Sequence, residues 1–383
     1  MKTLIIILCA LVVYCYLGYP FLIYLLSKYR SKPVYRSPIF PTVSIIISAY
    51  NEEDVIEQKI NNLLNMDYPF EKMEIRIASD GSTDRTNDII KNFHDSRLHV
   101  TIHPQRQGKI FTISELVSQS KSEIIVFNDA RQTLDRNAIN CLVENFADAQ
   151  VGCVSGELIF YSKEGGTAKG INLYWKYEKF IRFCEARVHS MLGATGAIYA
   201  IRRELFVPGP SHIVLDDMYV PFKIIEQGYR AICVDTAFAY DRPADTAQEE
   251  YRRKTRTLFG NYQIFFNFPG LFNPLKSPIA IQLFSHKFLR VILPFILITI
   301  FILTCVEGHK DFLFFQLLAL QIIFYLMAAM GALVCHSKNM VMRLISKACY
   351  VPYVFCLLNF SALIGFFRFI ESKQEVIWEK ARG

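Results

Sequence analysis

Two consecutive units, each a strand, a polar loop and a helix, constrain this chain more than any other feature of its sequence. The apolar run over residues 43–47 follows Pro41, and its length and β-branched content predict a buried strand. A second strand is predicted over residues 74–79, and both strands end in acidic and small polar residues. In open α/β sheets, ligands bind at the carboxyl ends of the strands. The sequence therefore predicts a ligand site at that edge, and the polar loops favour a nucleotide.

Strand and helix patterns alternate from residue 41 to about residue 242, which is typical of a mostly parallel sheet covered by helices. The further strands are predicted over residues 98–102, 123–127, 151–160, 197–201 and 230–234, and the helices over residues 54–65, 109–120, 137–146, 171–189 and 218–227. The predicted fold class is α/β.

An apolar segment over residues 3–26 is long enough to cross a bilayer, which takes roughly 20 residues. A cleaved signal peptide is the alternative, but the segment is too long and its tyrosines leave no small-residue cleavage site. More basic residues follow the segment than precede it, so its downstream side is expected in the cytoplasm. They are Lys2 before the segment, and Lys28, Arg30, Lys32 and Arg36 after it.

The composition changes after Asp241. Residues 248–268 are basic first and aromatic afterwards, a pattern typical of a helix in the membrane interface with its apolar face toward lipid. A surface helix packed on the domain is the alternative. Two membrane spans are predicted over residues 289–306 and 312–334 because of their length and lack of charge.

A third C-terminal apolar segment, residues 348–367, allows two topologies. It contains Pro352, Asn359 and Ser361, and basic residues flank both of its ends. A plain fourth crossing would leave one basic flank outside, against the positive-inside rule. We therefore predict a re-entrant segment, with the tail in the cytoplasm near the domain, since irregular backbone at membrane depth is tolerated where protein buries it.

The overall charge argues against a nucleic-acid partner. The 42 Lys and Arg residues exceed the 35 Asp and Glu residues by only 7, and they are scattered along the chain. The mean hydropathy of +0.23 instead agrees with a chain that lies partly in lipid. Its ten cysteines form no C-x-x-C pair, so neither a zinc site nor disulfides are predicted.

Seven short motifs occur in a fixed order between residues 43 and 260. They are Tyr50-Asn51-Glu52-Glu53, Asp80-Gly81-Ser82-Thr83-Asp84, Gly108-Lys109, Asn128-Asp129-Ala130, Gly193-Ala194-Thr195-Gly196, Asp216-Asp217 and Arg253-Lys254-Thr255-Arg256. Together they resemble the family 2 glycosyltransferases, whose GT-A domain binds a nucleotide sugar. The flanking apolar helices are similar to those of membrane-bound synthases of polysaccharides and glycolipids.

This resemblance implies a membrane-anchored inverting glycosyltransferase of the plasma (inner) membrane. It implies sugar transfer from a UDP-sugar to a lipid-linked or polysaccharide acceptor at the cytoplasmic face. The rivals are a processive exopolysaccharide synthase and a catalytically silent scaffold with the same fold. The expected division is an anchor over residues 1–30, a GT-A domain over 38–245, interfacial helices over 246–286, transmembrane helices over 287–370 and a tail over 371–383.

The resemblance also assigns the donor site. Asp80 is expected to accept a hydrogen bond from the base, and Glu52 to lie near the uridine. Turn and helix-capping chemistry is the alternative for both residues. The full set of expected donor-binding residues is Tyr50, Asn51, Glu52, Asp80, Lys109, Asp129, Arg253, Lys254 and Arg256.

Asp129 matches the first aspartate of the family's D-x-D motif and is expected to bind a divalent cation, Mg²⁺ or Mn²⁺. The second aspartate is replaced by Arg131, whose guanidinium cannot ligate a metal. Two interpretations remain open. Asp129 holds the metal alone with the phosphates while Arg131 pairs with an acidic neighbour or contacts substrate, or Arg131 partly replaces the cation. We prefer the first.

The second residue of the Asp216-Asp217 pair is expected to be the general base, with Asp216 on the acceptor side or capping the following helix. Gly193 and Gly196 are expected to let the backbone approach a sugar closely, although structural turns also use glycine. Thr257 stands where processive synthases carry a tryptophan. That departure argues against processive polymerisation.

Overall fold

One eight-stranded sheet forms the centre of the structure. The computed structural model describes residues 1–160, 168–242, 247–334 and 340–371. The strands are β1 (Val43–Ala49), β2 (Met73–Asp80), β3 (Leu98–His103), β4 (Ile124–Phe127), β5 (Thr133–Leu134), β6 (Val151–Phe160), β7 (Tyr199–Arg202) and β8 (Arg230–Asp241). In the described part of the chain, they pair in the order β3-β2-β1-β4-β7-β6-β8-β5.

Helices cover the sheet and extend beyond it at both ends of the chain. They are α1 (Lys2–Val13), α2 (Tyr19–Tyr29), α3 (Ile56–Leu64), α4 (Thr86–Lys91), α5 (Lys109–Gln119), α6 (Ala138–Val143), α7 (Ala168–Val188), α8 (Asp216–Glu226), α9 (Ala247–Asn267), α10 (Ala280–Gln282), α11 (Leu289–Glu307), α12 (Phe312–Val334) and α13 (Met340–Ile370). Single π-helical segments join α1 to α2 and α10 to α11.

The predicted α/β fold with a mostly parallel sheet is confirmed. Strands β1 to β4, β6 and β8 run in one direction, and β5 and β7 run against their neighbours. The two-residue strand β5 was not predicted, since it is too short to show a periodic pattern. Strand β8 extends past the predicted end at residue 234, because its second half pairs with the end of β6.

Strand β1 is apolar because both of its faces are buried. Ile46 packs with the helices on one face of the sheet, whereas Val43, Ile45 and Ile47 pack with those on the other. All four side chains are at most 1% exposed. Buried parallel strands therefore read as continuous apolar runs, and they hold the loops at their carboxyl ends in a fixed place.

Four helices of the described chain are long and apolar enough to cross a membrane. They are Lys2–Tyr29, Ala280–Glu307, Phe312–Val334 and Ala348–Ile370. The second of these helices begins at Ala280, earlier than residue 287, where the transmembrane region was predicted to start. At the end remote from the sheet, Ile5 packs against Ile300 and Phe314, and Lys2 pairs with Asp311 at 2.6 Å.

Most of the aromatic face of α9 packs on protein, so the expectation that it faces lipid is wrong except for Phe266, which is 72% exposed. Phe259, Tyr262 and Phe268 are at most 5% exposed. The Tyr262 ring stacks on Phe369 of α13, with 5.8 Å between ring centres. Tyr262 and Phe268 belong to the same apolar core as the helices on one face of the sheet. Helix α9 therefore joins the sheet domain to the C-terminal helices.

Helix α13 runs unbroken from Met340 to Ile370 and contains Pro352, so a segment that reverses inside the membrane is wrong. A proline removes one backbone donor but does not always end a helix. The carboxyl end of α13 lies beside α9, because Gly365 and Phe369 contact Phe259, and the cytoplasmic position of the tail stays a prediction. The tail after Glu371 lies outside the described residues.

Candidate active site

The loops after β1 and β2 are joined by hydrogen bonds. The backbone N–H of Asn51 donates to the Ser82 hydroxyl at 3.1 Å, and the backbone N–H of Thr83 donates to the Asn51 side-chain oxygen at 2.8 Å. Asn51 has a φ of 53°, a left-handed conformation that asparagine adopts more readily than most residues. Asn51 thus shapes the site, and its contact with a nucleotide stays a prediction.

Tyr50 lies beside a cation that the sequence did not single out. The guanidinium carbon of Arg106 lies 3.7 Å from the centre of the Tyr50 ring, within the range of a cation–π contact. Arg106 sits in the loop between β3 and α5, two residues before Gly108. Its only sequence signal was this closeness to the Gly108-Lys109 motif.

Asp80 is buried and holds that same loop. Its two carboxylate oxygens accept hydrogen bonds from the backbone N–H groups of Gln107 at 2.7 Å and Gly108 at 2.9 Å. An ionised carboxylate has about four acceptor positions, so Asp80 retains capacity for a further donor. The structure therefore gives Asp80 a role in loop shape, and the expected hydrogen bond from a base stays a prediction.

Lys109 joins two acidic motifs that are far apart in the sequence. Its ammonium lies 2.8 Å from Oδ1 of Asp129 and 3.1 Å from Oδ2 of Asp216. Burial works against the charged form, but these two carboxylates raise the pKa of Lys109 above its ordinary value. Lys109 is therefore held by two carboxylates in this structure, and its contact with a nucleotide stays a prediction.

Arg131 pairs with Glu52. Its Nε lies 3.0 Å and 3.2 Å from the two carboxylate oxygens of Glu52, whose side chain is 10% exposed. This is the acidic neighbour that the first of the two interpretations of Arg131 required. Glu52 in turn donates its backbone N–H to the Thr86 hydroxyl at 2.8 Å.

A buried lysine behind Asp129 escaped the sequence analysis. The Lys59 ammonium donates to the Asn128 side chain and to the backbone carbonyl of Gln132, the residues that flank the acidic loop. Burial lowers the pKa of Lys59 to about 7, although Asp129 and Asp241 oppose the shift. Its signal was a lysine on the apolar stripe of α3, in register with Ile56, Ile60 and Leu63.

The Asp216-Asp217 pair begins helix α8. The residue before it, Leu215, makes no side-chain capping hydrogen bond, and Asp216 pairs with Lys109 instead. The alternative in which Asp216 caps this helix is therefore wrong. Burial, reinforced by the neighbouring charge of Asp216, raises the pKa of Asp217 to about 6, while Lys109 opposes the shift. A carboxylate with a pKa near the working pH suits general base catalysis.

Two glycines bring the backbone close to these acids. Gly193 has a φ of 121°, which side chains rarely adopt, and a Cβ there would lie 2.8 Å from Met218. A Cβ on Gly196 would lie 3.3 Å from Oδ2 of Asp217 and 3.7 Å from Oδ2 of Asp129. Both carboxylate oxygens therefore border a space that the absence of a side chain at Gly196 leaves open.

The Gly196→Ala substitution, which fills part of this space, is expected to slow catalysis strongly without unfolding the chain. In Gly196→Ala the added methyl group intrudes beside Asp129 and Asp217, and displacements near 1 Å cost about 100-fold in rate. We expect that loss in turnover with a thermal unfolding midpoint within a few degrees of the wild type. Gly270→Ala is the matched control, because its methyl group meets nothing within 4 Å. Normal turnover in Gly196→Ala would contradict the role of this space.

The three basic residues of the α9 motif, Arg253, Lys254 and Arg256, separate into two groups. Arg256 lies with the acids: burial lowers its pKa to about 10, and Asp216, Asp129 and Asp217 oppose the shift. Arg253 and Lys254 lie instead near Trp175 of α7, at 5.9 Å and 5.4 Å from its ring. Arg256 is therefore the member of this run that shares the electrostatic environment of the acid pair.

Many of these groups border one cavity of about 1550 Å³, but the predicted donor residues Tyr50, Asn51, Glu52 and Asp80 are not among those that line it. Its polar lining includes Lys109, Asp129, Asp216, Asp217, Arg253, Lys254 and Arg256, and its apolar lining includes Leu17, Val291, Val351, Val354, Phe355 and Leu358. The cavity thus runs from the acid pair to the helices that are apolar enough to span a membrane. No single motif signals such a cavity, since its walls come from both ends of the chain.

A polar network lines the cavity where the helices meet the domain. His286 lies 2.8 Å from Glu185 and 3.1 Å from Glu178, both on α7. Tyr19 of α2 donates its hydroxyl to Glu185 at 2.6 Å, and Arg290 pairs with Glu178. This network joins the first membrane helix, α7 and the helix that leads into α11, and the sequence analysis did not identify it.

The sequence model for glycosyl transferase family 2 matches residues 44–206. The match begins at β1, includes the loops with Asp80 and Asp129, and ends just beyond β7. These residues form a family 2 glycosyltransferase domain. The resemblance of the ordered motifs is thereby confirmed, and the acid pair on α8 and the basic residues of α9 extend the site beyond the matched range.

Two bacterial proteins are similar to this chain in sequence. The chain is 25% identical over 271 residues to Probable glycosyltransferase YdaM of Bacillus subtilis (strain 168), and 23% identical over 256 residues to poly-beta-1,6-N-acetyl-D-glucosamine synthase of Staphylococcus aureus (strain MSSA476). Each match covers 64% of this chain, and 62% and 60% of the respective relative. The chain thus spans about three fifths of the length of these relatives.

The fold is also that of a solved glycosyltransferase. The mannosyltransferase PcManGT from Pyrobaculum calidifontis, determined with GDP-Man and Mn²⁺, superposes with a TM-score of 0.71 and 21% sequence identity. The superposition covers 97% of this chain and all of the other, so it includes the helical ends. It supports the GT-A fold with helices at both ends of the chain.

Proposed function

We propose that this glycosyltransferase moves a sugar from a UDP-sugar to a lipid-linked or polysaccharide acceptor with inversion at the anomeric carbon. One observation carries the proposal. Asp129, Asp217, Lys109 and Arg256, which come from four separate motifs, border one cavity that continues between the apolar helices. Such a cavity offers a polar end for a nucleotide sugar and an apolar end for a membrane-bound acceptor.

Asp217 acts as the general base in this proposal. It takes the proton of the acceptor hydroxyl as that oxygen attacks the anomeric carbon from the face opposite the diphosphate. Arg256 and Lys109 face the same acids and carry the positive charge that stabilises the departing diphosphate. Fixed charges placed where negative charge develops are a large source of rate acceleration.

The residues at Asp129 fit a divalent cation, Mg²⁺ or Mn²⁺. Oδ2 of Asp129 borders the open space at Gly196, and hard cations prefer carboxylate and phosphate oxygens while keeping several waters. Asp129 would hold the cation with the donor phosphates, and the bound cation would neutralise their charge. Among the described residues no group of three His, Cys, Asp or Glu side chains forms a complete cage, so the donor itself supplies the remaining ligands.

The proposed location is the plasma (inner) membrane, with the domain on the cytoplasmic side. The basic residues that follow the first span support this orientation. The names of the two bacterial relatives support a carbohydrate product, and the polymer in one of those names keeps a processive synthase as the rival. Thr257, in place of a tryptophan, favours transfer of single sugars.

The deciding experiment assays the full chain, in detergent and in native membranes that supply the acceptor, against a panel of UDP- and GDP-sugars. We expect release of nucleoside diphosphate with one UDP-sugar and labelled sugar in the lipid or polysaccharide fraction. Product length separates single transfer from polymerisation. Release with a GDP-sugar alone would overturn the donor assignment, and a folded protein inactive with every donor would favour a silent scaffold.

The raised pKa of Asp217 predicts an acid limit to activity. The base must be ionised, and its pKa is about 6, so kcat/KM is expected to fall about tenfold per pH unit below pH 6 and to level off above pH 7. Asp216→Asn removes the neighbouring charge that raises this pKa, so its acid limb is expected at lower pH. A rate independent of pH down to pH 5 would contradict the assignment of Asp217 as base.

A further inference from the structure

Lys109 lies between two carboxylates of the acidic site. Its ammonium lies within 3.1 Å of both Asp129 and Asp216, and 26% of its side chain is exposed. These two carboxylates come from the loop after β4 and the start of α8. The Lys109 ammonium therefore links two elements that are far apart in the sequence.

Without a metal, the charges of the site balance to within one negative charge. Asp129, Asp216 and Asp217 face Lys109 and Arg256, so three acids meet two cations. An added divalent cation at Asp129 would place two further positive charges beside the ammonium, whose Nζ already contacts Oδ1 of Asp129. Two cations that share one carboxylate repel each other, and the repulsion is stronger near a protein surface than in bulk water.

The donor relieves this conflict. Its diphosphate brings oxygen ligands for the cation and, at the same time, a new anionic partner for the lysine ammonium. Lysine suits such an exchange, because its charge is a point on a flexible stem with three rotatable donors. Binding of the donor and of the cation should therefore strengthen each other, and by linkage the effect is the same in both directions.

We propose that Lys109 is an internal counter-ion for the acidic site. It weakens binding of the divalent cation when the donor is absent and permits tight binding when the donor is present. This inference rests on the proposed function, since it takes Asp129 as the ligand of the cation. It assigns Lys109 two successive partners: the carboxylates of Asp129 and Asp216 in the empty enzyme, and the donor diphosphate in the loaded one. The enzyme would then bind cation and donor together.

The test measures Mn²⁺ binding by electron paramagnetic resonance on the full chain in detergent, with and without UDP, and with GDP in a second series. We expect wild-type protein to bind Mn²⁺ weakly alone and at least about tenfold more tightly with the nucleotide. Lys109→Met should bind Mn²⁺ alone about tenfold more tightly than the wild type, and gain less from the nucleotide. Lys109→Arg keeps the charge and should behave like the wild type.

Three outcomes separate the claims. If Lys109→Met and Lys109→Gln both remain folded and bind Mn²⁺ alone no more tightly than the wild type, the counter-ion role is overturned. If Asp129→Asn in the Lys109→Met background leaves Mn²⁺ binding unchanged, the cation lies elsewhere and the metal assignment in the proposed function fails instead. If Lys109→Met binds Mn²⁺ more tightly than the wild type and the added Asp129→Asn change removes that binding, the counter-ion role and the metal assignment are both supported.

Discussion

Asp217→Asn is expected to abolish sugar transfer while leaving nucleotide binding nearly intact. The amide cannot take the proton of the acceptor hydroxyl, and general base catalysis contributes about 10²–10⁴-fold to rate. In the proposed function the donor is held by other groups, among them Asp80, Asp129 and Arg256. We expect kcat to fall about 1000-fold, measured as release of nucleoside diphosphate, with the UDP affinity from calorimetry within about threefold of the wild type.

The matched control for this variant is Asp235→Asn, which makes the same chemical change at an exposed aspartate on β8. It should retain full turnover and UDP affinity. If the activity of Asp217→Asn stays within a few-fold of the wild type, Asp217 is not the general base. Loss of UDP binding together with activity would point to a damaged site, and Asp217→Glu, which keeps a carboxylate, would then be measured for partial rescue.

Removal of divalent cations is expected to stop the reaction completely. We expect that Arg131 does not replace the cation, because its Nε is held by the carboxylate of Glu52. Activity should vanish in excess chelator and return with Mg²⁺ or Mn²⁺, whereas chelator already saturated with the cation should have no effect. Full turnover in excess chelator would mean that a side chain of this site does the work of the metal.

Restoring the missing aspartate tests the same point from the other side. In Arg131→Asp, Glu52 loses its ion-pair partner and faces a second carboxylate, and breaking a largely buried pair in this way is strongly destabilising. We expect lower activity and a lower thermal unfolding midpoint, with Arg131→Lys falling between this variant and the wild type. Higher activity in Arg131→Asp would revive the interpretation in which the arginine substitutes for the cation.

The sheet could be predicted from sequence because its central strands are buried on both faces. Residues 43–47 read as a strand for this reason, and the acidic loops follow directly from where each strand ends. Strand β5 and the pairing of β7 against its neighbours could not be predicted, since they depend on contacts distant in sequence. The environment of the α9 aromatic residues was predicted wrongly, because a helix face that packs on protein has the same apolar sequence pattern as one that faces lipid.

The candidate site was predicted in its members but not in its pairings. Asp129, Asp216 and Lys109 were each identified from motifs, yet nothing in the sequence indicates that one lysine contacts both acids. Lys59 and Arg106 were missed because their partners are a backbone carbonyl, an amide and a ring supplied by other loops. Such contacts arise only when the chain is folded.

Helix α9 presents Arg256 to the acid pair and packs Phe259 and Tyr262 against α13. The helix that completes the basic side of the site is thus held by a segment more than a hundred residues after the acid loop. During synthesis, the sheet and its acids emerge well before α13 is made and inserted. The nascent domain therefore has its acids without the support that fixes its basic side, so a newly made chain gains its complete site only when its last membrane helix is in place.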